Sequence, residues 1–290
     1  MSGPRANALE HYKAAGSGSN RMIVAVLGGG KIGDAVAQSI VRSDQVSKVL
    51  MTRRTANARG TLPSGKLHLS TDNRGAARDA DVIIIAVKAG DAKQVLGEIT
   101  KAASNKIVIS LMAAVSIKRI EGALPRAKVV RSMPNIAATI GEAITAYSLG
   151  SNLDKKDIDR VKFVLGCFGD SIEVPESLMN AVTALSGSGP AYIAVMIEAM
   201  VSAGLKVGIP REVAFKLVTK TLTGTANLLS EKGMHPAELR DLVTTPAGTT
   251  IAGIYELEKG ALRTSIMNAV DAATQAAERV AKKFEDEAPR

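Results

Sequence analysis

The 290-residue chain has one cysteine, Cys167, no tryptophan, three histidines and only 3% aromatic residues. A single thiol excludes a disulfide framework and any metal site built from several thiolates, so no metal is expected. The shortage of aromatic side chains leaves no stacking platform, and no basic recognition helix can be read, which speaks against a nucleic-acid partner. Uninterrupted apolar runs such as residues 82–87 are far below the roughly 20 residues that span a bilayer. The amino terminus lacks the apolar stretch of a signal peptide. A cytoplasmic protein with no membrane partner is the resulting expectation.

What is present is a globular composition, 46% hydrophobic and 22% charged, in a chain long enough for about two domains at roughly 100–200 residues each. The net charge of +9 is unevenly placed. Residues 1–66 hold 10 of the 37 Lys+Arg and 3 of the 28 Asp+Glu, a local excess of +7, against +2 in the rest. A small phosphorylated ligand for this half fits that imbalance better than a polymer does.

Residues 1–20 end in Gly16-Ser17-Gly18-Ser19-Asn20 and show no apolar periodicity, the texture of a flexible extension. From residue 21 to about 174, short β-branched runs at 22–27, 48–52, 66–69, 81–87, 106–110 and 128–131 alternate with helix-length stretches. Continuously apolar strands such as Val82-Ile83-Ile84-Ile85 belong to a parallel sheet buried on both faces, so residues 21–174 are predicted to form a Rossmann-type α/β domain. After Val174-Pro175 the strand-like runs stop. Residues 190–208, 211–232, 236–243 and 262–283 read as helices, making 175–290 an all-α domain. The segment 191–201 carries one charge, Glu198; a helix apolar nearly all round needs cover on several sides, which a second subunit would supply.

Gly28-Gly29-Gly30-Lys31-Ile32-Gly33 follows the first strand and opens a helix. In that context Gly28 permits the tight turn, Gly30 lets backbone approach a pyrophosphate, and Gly33 allows close helix-to-strand packing. About 20 residues on, an NAD-binding domain places an acid for the ribose 2′-hydroxyl. Here the sequence is Met51-Thr52-Arg53-Arg54, and two guanidinium groups suit a 2′-phosphate. NADPH is therefore the expected cofactor, with NADH a weaker substitute. Ala86-Val87-Lys88 and Met133-Pro134-Asn135 close two further strands, where the ligand crevice of an open parallel sheet lies. For Asn135, a contact to the nicotinamide end and a plain turn role remain open. In the carboxyl-terminal half, Leu185-Ser186-Gly187-Ser188-Gly189-Pro190 reads as a loop feeding a helix. Thr244-Thr245-Pro246-Ala247-Gly248-Thr249-Thr250 is a turn opening another, a hydroxyl-lined helix amino terminus suited to a small carboxylate.

These blocks resemble the pyrroline-5-carboxylate reductases over about residues 21–283. The likeness rests on Val130-Arg131-Ser132-Met133-Pro134-Asn135, on Ala184 through Tyr192, and above all on Leu239 through Thr250 followed by Leu257-Glu258. The resemblance implies NAD(P)H-dependent reduction of (S)-1-pyrroline-5-carboxylate to L-proline, the last step of proline biosynthesis, with NADPH the form the arginines favour. It also implies an interlocked homodimer and a larger ring of dimers, a decamer. It implies Thr250 at the ring nitrogen, Thr245, Gly248, Thr249 and Ser186 around the substrate, and Lys31, Ile32, Thr52, Ala86, Val87, Lys88, Met133 and Asn135 beside the cofactor. The chain departs from the family pattern in four places, five residues in all. Ala247 and Ala261 stand where glycine is usual, Lys31-Ile32 where Asn-Met is, and Ala89 where proline is common.

Two other readings compete. A related imine or 3-hydroxy acid oxidoreductase of this build would, in the hydroxy acid case, want a lysine on the helix after the domain junction, and residues 176–205 contain none. A non-catalytic NADPH-binding regulatory protein would need the glycine turn and the arginines but not the threonine-rich loop.

Overall fold

The computed structural model describes residues 21–55 and 65–286; the extension expected over 1–20 lies outside the described residues. The elements begin with β1 (Met22–Leu27), α1 (Lys31–Ile40), β2 (Val46–Thr52), β3 (Leu67–Ser70), α2 (Asn73–Asp79), β4 (Val82–Ile85), α3 (Ala92–Ile99), β5 (Ile107–Ser110), α4 (Ile117–Ala123) and β6 (Lys128–Met133). The strands of this run are parallel and ordered 3-2-1-4-5-6. That is the doubly wound arrangement, with its reversal of direction between β1 and β4.

The apolar strands explain the layering. β4 and β5 are buried at every residue, and successive side chains point to opposite faces. Val24, Val26, Val82, Ile84, Ile107 and Ile109 enter one core with Val36 and Ile40 of α1. Ala25, Leu27, Ile83, Ile85 and Val108 enter the other with Leu96 and Ile99 of α3.

The sheet extends beyond the expected strands. β7 (Ala143–Leu149) runs antiparallel to β6, and β8 (Gly169–Glu173) parallel to β7, with α5 (Lys155–Gly166) between them. The sheet is therefore mixed. Asp154 and Asp157 form a reciprocal capping box that starts α5, satisfying otherwise unpaired helix-start N–H groups.

The chain forms two compact units, one up to Gly187, with which residues from Ala273 on also group, and a second from Ser188 to Ala272. Ahead of the division lie the short α6 (Met179–Val182) and a π-helical turn, Thr183–Gly187. Then come α7 (Gly189–Lys206), α8 (Arg211–Lys232), α9 (Pro236–Leu242), α10 (Thr249–Lys259) and α11 (Leu262–Asp286). The loop expected around Ser186 is thus helical. Thr183 Oγ1 donates to the Met179 carbonyl at 2.7 Å and Ser186 Oγ to that of Val182 at 3.1 Å. These hydroxyls bond back into the helix rather than diverting the chain, a pattern that lets small polar residues continue a helix.

In the second unit Val201, Ala214 and Val218 are the buried core, with Ile197, Ile209 and Leu222 against them. Gly204 seats α7 on α8, since a Cβ there would stand 2.9 Å from that of Ala214. Ile193, Phe215, Tyr255 and Met267 are at least half exposed.

Residues Glu176–Lys206 run as one helical stretch of 31 residues, long and apolar enough to cross a membrane by length and composition. Ser186, Ser188 and Glu198 interrupt it, so no uninterrupted apolar run of that length occurs within it.

Candidate functional site

At the carboxyl ends of β1, β2 and β4 a cleft of about 570 Å³ opens, lined among others by Gly28, Gly30, Thr52, Arg53, Ala86 and Lys88. Its floor is the turn after β1. Gly28 has φ +109°, and a Cβ there would lie 2.8 Å from the Ala86 backbone; a Cβ on Gly33 would lie 1.9 Å from the Gly28 carbonyl oxygen. Both positions therefore require glycine. At Gly30 the space is open. Gly30 is also the N-cap of α1 and supplies no side-chain cap, so the first N–H groups of the helix are left for an anion.

No acid ends β2. Arg53 and Arg54 both line the cleft. Arg53 Nη2 donates to Asp34 Oδ1 at 2.6 Å, and Arg54 pairs with Asp91. A glycine turn without side-chain caps, together with two arginines in place of an acid, fits a 2′-phosphorylated dinucleotide. These residues would hold its pyrophosphate and 2′-phosphate.

Eight of the expected cofactor residues, Gly28, Gly30, Thr52, Arg53, Arg54, Ala86, Val87 and Lys88, thus meet at one cleft. Gly33 packs beneath it, and Lys31 and Ile32 occupy the first turn of α1. Met133 and Asn135 do not line it. Met133 ends β6, and Asn135 caps the following 3₁₀ turn, its Oδ1 accepting from Ala137 N at 3.2 Å. Asn135 thus makes the capping contact of a turn residue through Oδ1.

Sequence reasoning missed a polar chain on the cleft wall. Thr52 Oγ1 donates to Asn73 Oδ1 at 2.5 Å, Asn73 Nδ2 to Glu98 Oε2 at 2.7 Å, and Gln94 Nε2 to Glu98 Oε1 at 2.8 Å. Asn73 lies just past the end of β3, so the strand-end rule applied to β1 and β4 points to Asn73 alone and not to the chain it belongs to.

In the second unit the turn before α10 has the form expected. Gly248 is the N-cap, its N–H donates to the Thr245 carbonyl at 3.0 Å, and a Cβ on it would lie 2.3 Å from Thr245 Oγ1. Ala247 has φ +54°, the left-handed conformation that glycine adopts without strain. Thr249 and Thr250 begin the helix, and the hydroxyls of Thr245, Thr249 and Thr250 have no hydrogen-bond partner among the described residues. His235, the N-cap of α9, accepts from Ala237 N through Nδ1 at 3.2 Å. His68 lies within β3. No group of three or more His, Cys, Asp or Glu side chains that could hold a metal occurs among the described residues.

Residues 176–280 match the family model described as pyrroline-5-carboxylate reductase dimerisation, and residues 23–114 match that described as NADP oxidoreductase coenzyme F420-dependent. The pyrroline-5-carboxylate reductase of Synechocystis sp. is 38% identical over 261 residues, covering 89% of this chain and 98% of that protein. The enzyme of Methanosarcina acetivorans is 38% identical over 270 residues, with 90% and 98% covered. Among solved structures, Plasmodium falciparum pyrroline carboxylate reductase with NADP bound matches with a TM-score of 0.82 and 29% identity, covering 91% of this chain and 100% of that one. Likeness of this extent spans both the nucleotide-binding sheet and the helical dimerisation region, and the chain belongs to the pyrroline-5-carboxylate reductase family.

Proposed function

We propose that the chain reduces (S)-1-pyrroline-5-carboxylate to L-proline with NADPH. The observation that carries this reading is the pairing of two features in a chain of this family. One is an arginine-lined cleft where no acid ends β2; the other is the uncapped, hydroxyl-lined start of α10. When bound, the dinucleotide supplies the hydride.

The chain's own residues bind and orient. Residues 21–174 hold the cofactor through Gly28, Gly30, Lys31, Ile32, Gly33, Thr52, Arg53, Arg54, Ala86, Val87 and Lys88. Met133 and Asn135 follow from the family resemblance. Residues 175–290 hold the substrate. The backbone N–H groups after Gly248, with the Thr245 and Thr249 hydroxyls, take its carboxylate, in keeping with the affinity of a helix amino terminus for anions. Thr250 Oγ1 holds the proton at the ring nitrogen, and Ser186 contributes to the substrate wall through the family resemblance.

Hydride transfer to an imine leaves an electron pair on nitrogen, so the protonated iminium is the better acceptor. A substrate that arrives protonated needs no strong side-chain acid, in keeping with a site that offers threonines and no histidine. Positioning then supplies most of the rate enhancement.

The working unit is a homodimer formed by the dimerisation region, with a ring of dimers, a decamer, as the larger assembly. The apolar stretch 176–206 meets a second subunit rather than lipid. The setting is cytoplasmic, in line with the lone, unpaired Cys167.

The test is NADPH oxidation, followed by loss of its near-ultraviolet absorbance, with pyrroline-5-carboxylate, with acyclic oxo acids, and with no substrate. Turnover only with the cyclic imine is expected. Turnover with the oxo acids alone would favour the hydroxy acid reading, and none with any substrate a regulatory NADPH-binding protein.

A further inference from the structure

Arg53 does not project from the end of β2 as an isolated charge. Its side chain turns back over the glycine turn, where a Cβ on Gly29 would stand 2.3 Å from Arg53 Cγ and 2.4 Å from Nε. Only glycine at position 29 leaves it this path. The guanidinium ends at α1, with Nη2 2.6 Å from Asp34 Oδ1. The Arg53 side chain is 12% exposed and that of Asp34 39%, so the pair is partly withdrawn from water and is screened less than a surface pair.

We infer that Asp34 is a specificity-determining positioning residue: it holds Arg53 across the glycine turn and, by neutralising part of its charge, limits the preference of the cleft for a 2′-phosphorylated dinucleotide. The inference rests on the reading of Arg53 as a 2′-phosphate partner. A guanidinium has five donors in a fixed fork, so it can keep one carboxylate and still face a phosphate. The two anions then share one cation and repel each other. A dinucleotide with a free 2′-hydroxyl brings no such charge, so Asp34 weighs against only the phosphorylated form.

Asp34→Asn isolates the charge, because the amide oxygen can still accept from Arg53 and keep it in place. The experiment is calorimetric titration of the full-length chain with NADP+ and with NAD+, taking the ratio of the two affinities. In Asp34→Asn the preference for NADP+ should rise by about fivefold, the value of one partly exposed ion pair. In Arg53→Ala it should fall by about tenfold or more, the loss of a charge-assisted contact. In the double variant it should match Arg53→Ala within about twofold, because Asp34 acts through Arg53. A purely structural role for Asp34 would weaken both dinucleotides alike and leave the ratio where it was. Should Asp34→Asn not fold, Asp34→Ser removes the same charge and carries the same expectation.

An unchanged or lowered preference in Asp34→Asn, with Arg53→Ala lowering it, overturns the inference and leaves the role of Arg53 intact. An unchanged preference in Arg53→Ala overturns both.

Discussion

Ala247 and Ala261 have φ of +54° and +53°, a conformation that costs an L-residue roughly 1–2 kcal/mol relative to the right-handed one. Glycine would remove that strain while adding about 0.4–1 kcal/mol of unfolded-state entropy to be lost on folding. Ala261→Gly should therefore raise stability by about 0.5 kcal/mol, where the same change inside a helix would lower it by about 1. Urea unfolding measures the difference, and a clear loss of stability would show that the turn carries no strain. At Ala247 the same strain stiffens the turn that opens α10, next to the threonines proposed to hold the substrate. Thr250→Ala should lower kcat about tenfold, close to one hydrogen bond of ~1.4 kcal/mol, with NADPH affinity unchanged. An unchanged kcat/KM for the imine would remove Thr250 from the mechanism.

Two groups withdrawn from water, the buried Tyr147 and the partly buried Cys167, set an alkaline limit at the same scale. Burial pushes the Cys167 thiol from 9.0 up to about 12. Burial, and then the Glu173 carboxylate to which its hydroxyl donates at 3.3 Å, push Tyr147 from 10.0 up to about 12. In both the folded state favours the protonated form. Their contribution is complete below the unfolded-state values and is lost as the pH climbs through the folded ones. The melting temperature should hold up to about pH 9 and fall progressively toward pH 12. Native Cys167 should resist alkylation under mildly alkaline conditions in which the unfolded chain reacts.

At the scale of elements the turn from β1 to α1 is the most constrained. Gly33→Ala places a methyl group 1.9 Å from the Gly28 carbonyl oxygen and 3.1 Å from Ala86 Cβ, so α1 must move off the sheet. A destabilisation of about 1–3 kcal/mol, typical of overpacking, with NADPH affinity lost beyond it, is expected from thermal unfolding and titration. Normal affinity would mean that the turn tolerates the shift. This constraint was legible in the sequence because glycine spacing, strand and helix coincide there, and β1, β4, β5 and β6 were legible because apolar runs report burial on both faces. β7 and β8 were not. β7 buries Thr145 and Ser148 among its apolar residues, which blurs its pattern, and β8 is a largely exposed edge strand, Gly-Asp-Ser-Ile-Glu. The π-helical turn at Thr183–Gly187 was hidden for the opposite reason: its Gly and Ser content has the texture of a loop, while its hydroxyls bond within the helix. The Thr52–Asn73–Glu98 chain needed three separate elements to be brought together, which no local pattern records.

At the scale of the molecule the two units have very different cores. The sheet unit buries both faces between helices. The second unit buries only Val201, Ala214 and Val218 as its core, too little apolar area to offset the chain entropy of 85 ordered residues at about 1–2 kcal/mol each. Its exposed Ile193, Phe215, Tyr255 and Met267 are the surface a dimerisation region needs, so folding of this unit and association should be one event. Two consequences can be measured. The melting temperature should rise with protein concentration, as it does when folding requires association, and the mass in solution should be at least twice the 30.2 kDa chain. Phe215 lines a groove with Ala194, Ile197 and Val201 and with the charged Glu198, Arg211 and Glu212, and Phe215→Glu would replace its apolar ring by a third carboxylate there, costing several kcal/mol of association. The variant should run as a monomer or aggregate and lose turnover. Titration should still detect NADPH, because the sheet unit keeps its own two cores. A variant of unchanged mass and activity would place the interface elsewhere; one that also loses NADPH binding would show that the sheet unit depends on the dimer.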